Sequence, residues 1–117
     1  MWTMGFLLPH APILIPEVAA RSGAQTGKTL EALISLGESL KRFAPDLLLV
    51  LDPHAASERI LTFVNADRFI GDLGEFGARS VSLSFRGAGE EGDRLFSYLH
   101  PHFPTKYYRP GVHDLDY

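Results

Sequence analysis

Pro45-Asp46-Leu47-Leu48-Leu49-Val50-Leu51-Asp52-Pro53-His54 decides how this chain is read. The run 47–51 is apolar at every position, the pattern of a central parallel strand covered on both faces. An earlier segment, Met4-Gly5-Phe6-Leu7-Leu8-Pro9-His10, predicts a strand over 3–8 that also runs into a Pro-His pair. Between them the sequence predicts a helix over 26–43. Leu30, Leu33, Ile34 and Leu40 share one face with Gly37, and Glu31, Ser35, Glu38 and Arg42 share the other. A strand–helix–strand unit makes its strands parallel, so His10 and His54 emerge at one edge of the sheet. That carboxyl edge is where open α/β sheets bind ligands.

Further elements follow by pattern. Residues 60–64 and 81–85 read as strands, 89–99 as a short helix with Leu95 and Leu99 inward, and 105–108 as an edge strand. The glycines from Gly71 to Gly77 read as a loop, and the two prolines of residues 11–16 as an extended connection. Phe6, Phe63, Phe69, Phe85 and Phe96 read as core packing. The expected architecture is a single α/β domain over 1–117, a three-layer αβα stack on a mainly parallel sheet.

Composition narrows the function classes. The chain has 117 residues, a net charge of −3 and no cysteine. The charge offers no electrostatic footprint for nucleic acid. Without cysteine there is no disulfide framework, zinc finger or iron–sulfur site, so any metal takes His, Asp, Glu or carbonyl ligands. No apolar run reaches the length of a membrane span and no basic leader precedes the first strand. No membrane association is expected, and a cytoplasmic location is the default.

His10 and His54 are the candidate metal ligands, because neutral imidazole is a common ligand and both follow proline at matched strand ends. The plainer alternative is that each imidazole caps a strand end. Asp52 lies two residues before His54, where strand alternation points it the same way, as an acceptor for an imidazole N–H. Two other patterns read as surface features. Ser22-Gly23-Ala24-Gln25-Thr26-Gly27-Lys28-Thr29 nearly spells a phosphate-binding loop but lacks the first glycine and a preceding strand. His100-Pro101-His102 has chelating spacing but falls in a turn.

At these residues the chain resembles a family. Leu8-Pro9-His10-Ala11-Pro12-Ile13-Leu14-Ile15-Pro16-Glu17-Val18 resembles the opening of the class III (LigB-type) extradiol ring-cleavage dioxygenases. The nearest likeness is to the bacterial branch known as AmmeMemoRadiSam system protein B, related to the Memo-like proteins. The likeness continues at Pro45–Val50, Asp52-Pro53-His54, Phe69–Leu73, Phe76-Gly77-Ala78 and Val81–Phe85, nearly the whole chain. It implies a non-haem Fe(II) held by two histidines and a glutamate, with open positions for a catechol-like aromatic substrate and dioxygen.

The resemblance maps the two histidines onto His10 and His54. The family glutamate lies in a later part of the domain, so the chain is expected to correspond to an N-terminal half. Relatives also carry a Leu-Asp-His-Gly segment where this chain reads Asp114-Leu115-Asp116-Tyr117, with His113 nearby. Glu17 or a second subunit is then a substitute source of the carboxylate, and an incomplete site would favour Zn²⁺, Ni²⁺ or Cu²⁺ over iron. No catalytic residue beyond the ligands is identified.

Two functional expectations follow. One is a metal-dependent dioxygenase-family oxidoreductase with an incomplete site. The other is an inactive half-domain that serves as a homo-oligomeric or partner-binding module, the partner supplying the other half. Whether the chain is an enzyme stays open between them.

Overall fold

The computed structural model describes residues 4–23, 25, 27–53 and 60–115. The chain divides into two compact units. One holds the described residues up to Leu48 together with Leu73–Arg79, and the other holds the described residues of Leu49–Asp72 and of Ser80–Leu115.

The first unit is helical. A single 3-10 turn, Pro12–Leu14, leads into α1, Pro16–Ser22. The sequence suggested only an extended connection here. Its prolines in fact start helices: Pro16 occupies the first helical position, where the missing N–H costs nothing. Glu17 in the first turn and Arg21 in the last match the helix dipole, and Gly23 ends the helix in a left-handed conformation. Val18 and Ala19 are the buried residues of α1.

Helix α2, Gly27–Phe43, agrees with the predicted amphipathic helix. Leu30, Leu33, Leu36 and Leu40 are half-buried, while Ile34 is 57% exposed and does not join them. A side chain at Gly37 would meet nothing within 4 Å.

The second unit is built on two parallel pairings that share one register. Strand β1, Leu61–Val64, pairs with β4, Thr105–Tyr108, with Leu61 opposite Thr105. Strand β2, Arg68–Leu73, pairs with β5, Val112–Asp114, with Arg68 opposite Val112. Both pairings are offset by 44 residues (105 − 61 and 112 − 68). The segments 61–70 and 105–114 therefore run side by side as one ribbon.

Backbone bonds carry that ribbon across the gap between the sheets. The Asn65 N–H donates to the Tyr108 carbonyl (2.9 Å), Asp67 to Pro110 (3.3 Å) and Arg68 to Gly111 (3.1 Å). Pro110 has no N–H to donate, and the regular ladder lapses beside it. Strand β3, Ala78–Arg86, flanks β2 on its other side, giving a three-stranded mixed sheet in the order β3-β2-β5. β1 and β4 form a two-stranded sheet.

Helix α3, Glu90–Leu99, packs on the β1–β4 pair through rings. Phe96 lies 4.6 Å from Tyr107 and 5.8 Å from Phe63 between ring centroids, and Phe63 stacks on Tyr107 at 6.3 Å. Aromatic pairs of this geometry contribute about 0.5–1.5 kcal/mol each beyond their burial. Leu95 and Leu99 are half-buried, as their spacing predicts.

The structure is α/β, as expected, but several elements differ from the sequence reading. Met4–Leu8 and Leu47–Leu51 form no strand among the described residues. Leu7 is fully exposed, and Leu47–Leu51 range from 44% to 82% exposed. An apolar run becomes a buried strand only when neighbouring strands and covering helices reach it, and among the described residues this run pairs with no strand. Gly71–Leu73 belongs to β2 rather than to a loop, and a Cβ on Gly71 would stand 3.3 Å from Leu115 Cβ. Phe85 and Phe6 are 48% and 41% exposed, outside the ring cluster that Phe63 and Phe96 join. Among the described residues no helix is long and apolar enough to cross a membrane.

Two glycines mark where α3 and its entry press on the ribbon. A Cβ on Gly87 would come within 1.7 Å of the Ala66 carbonyl oxygen, and one on Gly92 within 2.5 Å of Asn65 Oδ1. Gly92→Ala is expected to destabilise the protein by about 1–3 kcal/mol, the usual cost of overpacking. Gly37→Ala, in open space on a helix, is expected to stabilise it by about 0.5–1 kcal/mol. Urea unfolding midpoints of the two variants check both signs.

Candidate functional site

His10 lies exposed in the first unit, just before the Pro12–Leu14 turn. Glu17 is exposed in the first turn of α1. Asp52 belongs to the second unit and is exposed. His54 lies outside the described residues. His113 sits half-buried in β5, edge-on to Phe69 (5.9 Å) and Tyr108 (6.1 Å). That imidazole is packed as an aromatic ring.

A facial triad asks for two imidazoles and a carboxylate around one point. Among the described residues no group of three or more His, Asp or Glu side chains could hold a metal ion. The described residues therefore do not by themselves complete an iron centre.

The polar cluster that the second unit does assemble lies at the carboxyl ends of β1 and β4. Asn65 follows β1, is 97% buried (3% exposed), and turns its side chain under the start of α3. Its Nδ2 donates to the Gly89 carbonyl (2.8 Å) and reaches Asp93 Oδ1 (3.1 Å) and the Tyr107 hydroxyl (3.3 Å). Two N–H donors facing three acceptors leave one bond shared. The Tyr107 hydroxyl donates to the same Asp93 oxygen. Arg109, just past β4, donates to the other carboxylate oxygen at 2.9 Å.

Asp93 thus ties α3 to both strands. The Tyr107 hydroxyl bond is the largest cause holding its carboxyl below the ordinary 3.8; desolvation opposes it, and Asn65 and Arg109 reinforce it. Arg109 is pushed up, first by the Tyr107 oxygen and then by Asp93. Asp93 and Arg109 are nearly half exposed, so their ion pair adds little by itself. The hydrogen bonds to the buried Asn65 matter more, because an unsatisfied buried amide is costly.

This cluster was missed in the sequence, although one signal was present. Gly87-Ala88-Gly89-Glu90-Glu91-Gly92 follows strand β3 and opens helix α3, the spacing of a dinucleotide-binding turn. The geometry gives these glycines another role. Gly87 and Gly92 clear room for the Ala66 carbonyl and the Asn65 amide. The Gly87 N–H is spent on the Asp67 carbonyl (2.8 Å), and Glu90, Glu91 and Asp93 crowd the first turn with negative charge. A pyrophosphate would meet repulsion where the motif normally offers amides. The phosphate-loop look-alike at Ser22–Thr29 fares no better: it follows helix α1, not a strand. His100 and His102 are exposed in a turn, each against a different ring, Phe96 and Tyr98.

A curated protein of similar sequence is Protein CA_C1420 from Clostridium acetobutylicum, 24% identical over 82 residues. The match takes in 69% of this chain but only 18% of that protein's length. No family model matches the chain, and no solved structure matches it.

A carboxyl whose folded pKa lies below its unfolded value stabilises the fold above the unfolded value. That contribution is lost as pH falls through the folded value. Asp93→Asn should therefore lower the urea midpoint at neutral pH, and its gap from the wild type should shrink as the pH falls below the ordinary carboxyl value of 3.8. A gap that stays constant with pH would mean that the carboxylate charge plays no part.

Proposed function

We propose that this chain is a LigB-type extradiol dioxygenase-family polypeptide in which His10 and His54 contribute two imidazoles to a divalent metal site. The observation that carries the reading is the repeated apolar run ending in Pro-His, at Leu7-Leu8-Pro9-His10 and Val50-Leu51-Asp52-Pro53-His54. The flanking motifs stand in family order around it. Bound Fe(II) would supply the family's activation of dioxygen and a catecholate. The chain's own part is limited to the two imidazoles, with Asp52 as the acceptor that orients one of them. The carboxylate comes from Glu17, from a second copy of the chain or from a partner polypeptide.

The three-layer αβα arrangement and the mainly parallel sheet belong to the same proposal. Both need strands in addition to the five described. A cytoplasmic location, a small aromatic substrate and an oligomeric state are its further parts, and nucleic acid and membranes are not among its partners.

A second reading, a half-domain without chemistry that binds a partner or its own copies, is favoured by one observation. No group of three ligand side chains gathers among the described residues. Metal binding separates the two. The first reading expects near-stoichiometric Zn²⁺ or Fe²⁺ by calorimetry and elemental analysis, reduced at least about tenfold in affinity in His10→Ala and in His54→Ala. Equal binding by the variants, or none by the wild type, favours the second.

Activity is checked under anaerobic reconstitution with Fe(II), followed by catechols and oxygen. The expected outcome is slow formation of yellow ring-cleavage product that His54→Ala abolishes. Iron-loaded protein that turns over none of several catechols would remove the dioxygenase part of the proposal.

A further inference from the structure

We draw no further inference here: the strongest candidate, the exposed apolar run Leu47–Leu51, carries nothing because nothing in the structure shows what covers it.

Discussion

The parallel pairing of residues 61–70 with residues 105–114, held at a constant offset of 44, is the constraint on which the second unit depends. Parallel neighbours cannot be joined by a tight turn, so the chain between them must travel out and return. It does so through the end of β2, then β3 and α3, and α3 has to cross the ribbon the chain left. The crossing is close, and for that reason the residues beneath it are small or self-satisfied. Ala66 is 1% exposed, Gly87 and Gly92 lack side chains, and Asn65 bonds to the backbone and side chains of the helix above it. Removing the amide would leave the Gly89 carbonyl with the Asp93 N–H (3.0 Å) and take away the direct tie between Asn65 and the entry of α3.

Elements defined by local pattern were legible in the sequence. The helix ending at Phe43, the helix ending at Leu99 and the strands around Phe63, Leu83 and Lys106 stand within a few residues of where periodicity puts them. Helix α1 is hidden because Pro12 and Pro16 by pattern favour an extended connection, whereas Pro16 with Glu17, Arg21 and Gly23 spells a start and a stop. Strand β5 is three residues long and exists through its pairing with β2, which no local pattern announces. The opposite failure befell Leu47–Leu51, the most strand-like run in the chain. Apolarity expresses a demand for burial, and only the rest of a fold can meet it.

The site divides in the same way. The Pro-His pairs are visible because proline and histidine are chemically distinctive and recur after matching runs. The Asn65–Asp93–Tyr107–Arg109 cluster is invisible from spacing, since its members are 28, 14 and 16 residues apart in the bonded pairs Asn65–Asp93, Tyr107–Asp93 and Arg109–Asp93. The glycines that admit it imitate a nucleotide motif. What distinguishes the two roles is the acidic first turn, which the sequence displayed all along in Glu90, Glu91 and Asp93. His113, near the segment where relatives carry Leu-Asp-His-Gly, stands edge-on to Phe69 and to Tyr108, a packing that its sequence position does not announce.

The functional proposal comes down to whether two histidines from distant parts of the sequence answer to one ion. The chain has five histidines, at 10, 54, 100, 102 and 113, few enough to follow singly by nitrogen-15 NMR of the imidazoles during a Zn²⁺ titration. The proposal predicts that the ring nitrogens of His10 and His54 shift together and reach their end point at one equivalent, while those of His100, His102 and His113 hold still. Shifts confined to His100 and His102, or His10 and His54 titrating independently of each other, would contradict it.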